Sequence, residues 1–267
     1  MTVNFDRVSD IYDMTRAMPA EMEKAVLRQI VEEGELFPGS GVLEMGVGTG
    51  RIALPLVKTL NLKYVGIDIS GKMMARLREK ATNAIHLVRA DVRRHPFRNY
   101  TFDAVLAVHI LHLVPEWKKA LIEAKRVLKP EGVMLIAGEG GNRLMSLDML
   151  TGEMPPGFIK RAGEIAEKLG MKERRVGMVG LGEAVEALTA LGASITLPPT
   201  IEHRMDLSLH ILIALIAGRA FSALWDVPQE TLDSCVNDLK NLFMECFGSL
   251  NKQIPFYRRF EMVRAIF

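Results

Sequence analysis

The stretch Val42-Leu-Glu-Met-Gly-Val-Gly-Thr-Gly-Arg51 constrains this chain more than any other. Apolar residues run into Glu44, glycine follows at positions 46, 48 and 50, and Ile52-Ala-Leu-Pro-Leu-Val57 is apolar again. Glycine at every second position lets the backbone double back tightly and approach a ligand with no Cβ in the way. The stretch reads as a short buried strand, a glycine turn and a helix from Arg51 to Leu60. Pro55 falls in the first turns of that helix, where a missing N–H is tolerated best. The carboxyl end of a strand in an open parallel sheet is where such folds bind nucleotide-like ligands. The first amides of the helix would also suit a carboxylate. The spacing is Glu-x-Gly-x-Gly-x-Gly. The dinucleotide fingerprint Gly-x-Gly-x-x-Gly would place its third glycine at position 51, which is Arg51.

Four more strand-like segments follow. Tyr64-Val-Gly-Ile-Asp68 ends in an acid that can accept both hydroxyls of a ribose. Leu87-Val-Arg-Ala-Asp91 ends in another acid. Phe102-Asp-Ala-Val-Leu-Ala-Val-His109 and Val133-Met-Leu-Ile-Ala137 complete the set. Strands alternating with helical segments predict a parallel sheet covered on both faces.

This ordered set resembles the class I S-adenosylmethionine-dependent methyltransferases. The residues that carry the resemblance are Glu44-Met-Gly-Val-Gly-Thr-Gly50, Gly66-Ile-Asp-Ile69, Arg89-Ala-Asp-Val92, Phe102-Asp-Ala-Val105 and Arg126-Val-Leu-Lys-Pro130. Within the class the chain looks most like the small-molecule branch that includes ubiquinone and menaquinone methylation enzymes. The resemblance covers roughly residues 8 to 139. It implies S-adenosylmethionine as cofactor, S-adenosylhomocysteine as product and a small-molecule methyl acceptor as partner. It implies that Gly46, Gly48, Thr49 and Gly50 lie under the methionine part of the cofactor, with Asp68 and Ile69 at the ribose. Asp91 and Val92 then fall at the adenine. It also implies that the N-terminal segment crosses the cofactor, where a pair like Tyr12-Asp13 is common. Tyr12 is equally readable as a staple on the core.

Several residues keep two readings. Glu44 would accept hydrogen bonds from the cofactor's ammonium or from loop amides, or only brace the loop. Ser70 is a helix cap, and Met73 and Met74 begin the helical face behind it. One of the two methionines, here assigned as Met73, would cover the adenine while the other packs in the core. His109 ends a central strand, at the ligand crevice. It would remove a proton from the attacking group, its unperturbed pKa lying near 6.5, or hydrogen-bond the backbone and shape the pocket. His112 follows, but no third ligand lies nearby in sequence, so no metal is expected. Arg93, Arg94 and Arg98 around His95 read as a solvated loop. Glu139 would reach substrate at the mouth of the crevice, and Arg143 reads as solvated.

Composition narrows the partners. A formal net charge of +2 over 267 residues gives no electrostatic case for nucleic acid. Cys235 and Cys246 fall in one predicted helix, about 16 Å apart along its axis, too far for a disulfide. A reduced, cytoplasmic compartment is the simplest setting. The apolar run Ile211-Leu-Ile-Ala-Leu-Ile-Ala217 is far shorter than the roughly 20 residues of a membrane span.

The expected architecture is α/β: one Rossmann-like, doubly wound, mostly parallel sheet with an antiparallel last strand and helical lid insertions. The core is expected at about 35–139, 180–205 and 255–267, after N-terminal helices within 1–34. The lid is expected at about 140–179 and 206–250. Helices are expected over Met22 to Val31, Trp117 to Leu128, Gly157 to Leu169, Glu183 to Leu191, Leu207 to Trp225 and Glu230 to Phe247. Ile195 to His203 reads as a strand weakened by Pro198 and Pro199, and Arg259 to Phe267 as the last strand. The apolar helix after Leu207 suits plain packing, a pocket lining or the seam of a homodimer.

Overall fold

The structure is a computed structural model that describes residues 17–81, 84–139, 155–170, 177–178, 180–220 and 224–267. The chain forms two compact units. The first comprises residues 1–141, 176–201 and 260–267, and the second 142–175 and 202–259.

The first unit is built on a sheet. Its strands are β1 (Gly41–Met45), β2 (Lys63–Asp68), β3 (Ile85–Arg89), β4 (Phe102–Val108), β5 (Leu128–Glu139), β6 (Ser194–Thr196) and the Phe260–Ile266 part of the long last strand. β7 (Ile201–Ser208) and the remainder of β8 (Gln253–Ile266) belong mainly to the second unit. The order is β3-β2-β1-β4-β5-β8-β6. β1 to β5 are mutually parallel, and β8 runs antiparallel to both β5 and β6. The strand order reverses between β1 and β4. Open α/β sheets bind ligands at such a switch point, outside the carboxyl ends of the strands.

The sequence explains the central position of β4. Ala104, Val105, Leu106 and Ala107 are all buried. A parallel strand with both faces covered needs a continuous apolar run rather than an alternating one. One face packs on the helix Ala20–Glu33 through Met22, Val26 and Ile30, spaced at four residues. The other packs on the helix Trp117–Val127 through Trp117, Leu121 and Ala124. Between β4 and β5, Phe102 pairs with Leu128 but Ala104 with Val133. The register shift is where Pro130-Glu-Gly132 turns the chain, and Glu131 takes a left-handed φ of 62° there.

The second unit has its own apolar core. Phe158, Ala162 and Ile165 of the helix Phe158–Lys168 meet Leu212, Ile213 and Ile216 of the helix Leu209–Ala217. Leu239, Leu242 and Phe243 of the helix Gln229–Phe247 join them. Phe158 stacks on Phe243 at 5.9 Å and meets Phe247 edge-on at 5.3 Å. Cys235 and Cys246 lie in the Gln229–Phe247 helix as free thiols.

Three expected elements differ. The helix after the glycine turn is only Ala53–Thr59, because Gly50 sits at φ 84° and residues 51 and 52 are still turning. The strand expected over Ile195 to His203 is two strands, β6 and β7, divided at Pro198-Pro199, and they fall in different units. The helix expected from Leu207 to Trp225 is only Leu209–Ala217. β7 runs on to Ser208, and Gly218 ends the helix. Tyr12, Asp13 and Arg143 lie outside the described residues.

Candidate active site

The glycine turn leaves β1 at the switch point. Gly46, Gly48 and Gly50 have φ of 75°, 54° and 84°, the left-handed region that L side chains rarely adopt. The three do different work. A Cβ on Gly46 would lie 2.7 Å from the Ile110 side chain, and one on Gly50 would lie 2.3 Å from Leu77 Cδ1. Those two glycines let the core close. Among the described residues a Cβ on Gly48 would meet nothing nearer than Met73 Cε at 3.7 Å, an ordinary contact, so a side-chain carbon would fit here where it would not at Gly46 or Gly50.

Asp68 holds this turn to the end of β2. Its Oδ2 accepts from the Gly48 N–H at 2.9 Å and its Oδ1 from the Ser70 N–H at 2.8 Å. Ser70 Oγ accepts from Met73 N–H at 3.2 Å and caps the helix Gly71–Lys80. Ile69 stands between them with 49% of its surface exposed, unusual for an isoleucine. Met73 and Met74 are both buried, and Thr49 beside Gly48 is buried too.

Among the described residues the Glu44 side chain pairs with Tyr64 rather than with a loop amide. Asp68 holds the loop amides. The Glu44 carboxyl is buried, and Tyr64 donates its hydroxyl to Oε2 at 2.9 Å. Burial pushes the carboxyl up to about 8, against the opposing effects of the Tyr64 hydrogen bond and the Arg51 charge. The Tyr64 phenol is raised well above its usual range by the same burial and by Glu44, so it remains a donor. The folded chain thus holds a proton on Glu44 between about 4.5 and 8 that the unfolded chain releases. Stability from this group is greatest below about 4.5 and is lost as pH rises through about 8. Glu44→Gln should therefore flatten the fall in melting temperature between pH 6 and pH 9. An equal fall in both proteins would show that Glu44 does not carry that proton.

Asp91 lies two residues past the end of β3. Ala90 N–H donates to Asp68 carbonyl at 3.1 Å, which sets Asp91 beside the end of β2. The Asp91 carboxylate is gripped by Arg93: Nη2 reaches Oδ2 at 2.7 Å, and Nε and the backbone N–H reach Oδ1 at 3.0 and 2.9 Å. That grip holds the carboxyl below its usual range. Arg93 also reaches the Pro115 carbonyl at 3.4 Å. Arg93 is therefore not the solvated side chain expected from composition, whereas Arg94 and Arg98 are exposed as expected. Val92 and His95 beside it are buried, and Arg126 ties the segment down through the Phe97 carbonyl at 2.8 Å.

His109 ends β4 with a φ of 54°, strained for a residue with a Cβ. Its backbone N–H donates to Ala137 at 2.9 Å, continuing the ladder to β5. Its Nε2 accepts from the Glu139 N–H at 3.3 Å, and its ring packs edge-on against Phe260 at 5.9 Å. Ile110, the next residue, covers Gly46. The carboxyl ends of β1, β2, β4 and β5 thus bring together the glycine turn, Glu44, Asp68, Ile69, Met73, His109 and Glu139. Asp91 and Val92 stand at the β3 side. Among the described residues no His/Cys/Asp/Glu group has the arrangement of a metal site, and no helix is long and apolar enough to cross a membrane.

Sequence reasoning missed Tyr64 and the Arg93 grip. Tyr64 was detectable, because β1 and β2 pair Val42 with Tyr64 and Glu44 with Gly66, which puts the phenol and the carboxyl on neighbouring positions of one face. A two-residue Asp-x-Arg contact has no periodic signature.

The chain has a Rossmann-like fold with the glycine turn and the strand-end acids gathered at the switch point of its sheet. Residues 43–136 match the methyltransferase-domain family. Demethylmenaquinone methyltransferase of Staphylococcus haemolyticus is 31% identical over 136 residues, covering 49% of this chain and 57% of that protein. Phosphatidylethanolamine N-methyltransferase of Cereibacter sphaeroides is 38% identical over 103 residues, covering 37% of this chain and 50% of that protein. The chain thus spans about half the length of these curated relatives. The solved structure of phosphoethanolamine N-methyltransferase 2 of Haemonchus contortus, in complex with S-adenosyl-L-methionine, shares the fold. Its TM-score is 0.56 at 16% identity, over 98% of this chain and 57% of that one.

Proposed function

We propose that this protein transfers the methyl group of S-adenosylmethionine to a small-molecule acceptor by in-line displacement. The observation that carries the reading is the glycine turn at the switch point of the sheet, with Gly48 unclashed among the described residues, held by Asp68 and flanked by the exposed Ile69. Bound there, S-adenosylmethionine supplies an already activated methyl, which leaves sulfur with its bonding pair as the acceptor attacks.

The chain's own residues bind and orient. The backbone of Gly46, Gly48, Thr49 and Gly50 receives the methionine part. Asp68 accepts from the ribose with the lone pairs that the two amides leave. Ile69 lies beside the ribose and Met73 covers the base, with Asp91 and Val92 at its edge. Holding the reactants in line can itself remove several kcal/mol of barrier.

His109 stands at the acceptor side, and its geometry favours bracing. Its Nε2 already accepts from the Glu139 N–H, so it takes a substrate proton there only by releasing that bond. His109→Ala should lower turnover by on the order of 100-fold if the ring acts as a base. His109→Asn should restore most of it if the ring only braces the β5 end. Single-turnover transfer of a labelled methyl group separates the two. An unchanged rate in His109→Ala would remove the residue from both roles.

Both curated relatives carry lipophilic substrates in their names, which supports a lipophilic acceptor read by the expected lid, 140–179 and 206–250. A cytoplasmic setting fits the free thiols of Cys235 and Cys246, and a homodimer is compatible with the exposed Ile211. The deciding experiment is calorimetric titration with S-adenosylhomocysteine, with NAD as control, followed by methyl transfer to a panel of prenylated quinones and phospholipid amines. Binding of NAD in place of S-adenosylhomocysteine would point to an oxidoreductase. Binding without transfer to any acceptor would favour a sensor.

A further inference from the structure

The carboxyl end of β4 carries a histidine whose lone pair is already engaged. His109 Nε2 accepts from the Glu139 N–H, so the hydrogen of the neutral ring lies on Nδ1. Nδ1 lies against Gly138: a Cβ built on that glycine would fall 3.1 Å from it. On β8 the residue directly opposite Gly138 is Glu261. Opposite residues of an antiparallel pair share a face, with Cβ positions about 5 Å apart. The packing tells which face this is. Ala137, Phe260 and Met262 lie in the cluster with Met22, Val26 and Ile30, whereas Ile136 and Val263 lie in the cluster with Trp117 and Leu121. By alternation Gly138 and Glu261 belong to the second face, and Glu139 to the first, with Phe260. Gly138 therefore puts no side chain between the imidazole and the Glu261 side chain, which is partly exposed.

We propose that Glu261 is the base at this corner, taking the proton of a phenol-type hydroxyl on the methyl acceptor, which His109 holds through its Nδ1–H. The proposal rests on the methyl-transfer reading given above. His109 can donate there, but its lone pair is spent on the β5 backbone, so a proton must go to another group. A hydroxyl suits this pair of residues. It gives one hydrogen to the carboxylate, accepts from Nδ1–H with one lone pair and attacks with the other. A phenol is closer in acidity to a carboxylate than an alkyl alcohol is, which favours the transfer. The step balances. The attacking lone pair forms the bond to the methyl carbon, and the sulfur–methyl bond breaks with its pair left on sulfur. The O–H bond breaks with its pair left on oxygen, and the proton passes to a Glu261 oxygen. An acceptor that is already anionic, such as a thiolate, has no proton to give and would gain nothing from Glu261.

The first test needs no ligand. Long-range proton–nitrogen NMR spectra of the whole protein, with the His109 ring assigned through His109→Asn, should show the Nδ1–H tautomer. Glu261→Gln should move the Nδ1 signal. An Nε2–H tautomer, or an Nδ1 signal unmoved in Glu261→Gln, would overturn the proposal. Should that variant fail to fold, the tautomer of the native protein still decides.

The second test is single-turnover transfer of a labelled methyl group from S-adenosylmethionine to a prenylated quinol, with phosphatidylethanolamine in matched vesicles as the amine alternative. Transfer to the quinol is expected. Glu261→Gln should slow it on the order of 100-fold while S-adenosylhomocysteine affinity stays within about twofold, and Glu261→Asp should recover part of the rate. Full-rate transfer by Glu261→Gln, or transfer to the amine alone, would overturn the proposal and leave the methyl-transfer reading standing. Absence of S-adenosylhomocysteine binding by the native protein would instead sink that reading. Where neither acceptor is methylated, the spectra decide.

Discussion

Gly48→Val should weaken S-adenosylhomocysteine binding by at least roughly 100-fold, about 3 kcal/mol, while the protein stays folded. The side chain would stand on the turn that receives the ligand, and among the described residues the nearest atom to its Cβ is Met73 Cε at 3.7 Å. No packing is lost, so the cost to the fold is the left-handed φ of 54°, on the order of 1–2 kcal/mol. Gly50→Val should behave in the opposite way. Its Cβ would fall 2.3 Å from Leu77 Cδ1 and 3.1 Å from Leu54 Cγ, at a φ of 84°. Leu77 is buried in the core under the turn, and the variant should melt several degrees lower or fail to fold. Thermal melting and titration on the pair separate a ligand surface from a packing surface. Near-native binding by Gly48→Val would mean that the ligand lies elsewhere.

Asp68→Ala should cost about 2–3 kcal/mol of binding, near the top of the range for a hydrogen bond to a charged group. The carboxylate does two things at once: it is placed for the ribose, and it holds the amides of Gly48 and Ser70. Removing it leaves the turn free to drift from the geometry the ligand meets. Asp68→Asn keeps an oxygen for one amide and should lose about half as much. Two variants with equal, small losses would show that Asp68 braces the turn without touching the ligand. Unchanged affinity in both would remove it from the site.

The sheet was legible because its signals are local and redundant. Each of β1 to β5 announces itself by an apolar run, and three of them end in Glu or Asp close to the carboxyl end. The register that sets Glu44 beside Gly66 and Leu106 follows from those runs. What was not legible depends on where side chains reach. Which acid holds the turn is decided by a 2.9 Å contact from the Gly48 amide to Asp68, not by spacing. The grip of Arg93 on Asp91 was not legible, since an arginine two residues on is as often solvated as paired. Helix ends failed where a glycine or a proline pair acted. Gly50 delayed one helix, Gly218 cut another short, and Pro198-Pro199 broke one expected strand in two.

The pairing of β5 with the end of β8 has a consequence for how the chain acquires its shape. Gly138 lies opposite Glu261 and Glu139 opposite Phe260, with the whole of the second unit's sequence between them. The strand that seals β5, and with it the Phe260 ring against His109, is thus synthesised only after that whole intervening stretch. Closing so long a loop carries an entropic cost that local contacts do not share, and it slows the step that depends on it. During synthesis the first five strands can assemble while β5 still presents an open edge, the kind of surface that invites mispairing. Refolding should accordingly show an early phase reported by the β1–β4 core. A slower phase should follow, in which the His109 corner becomes ordered only when β8 docks.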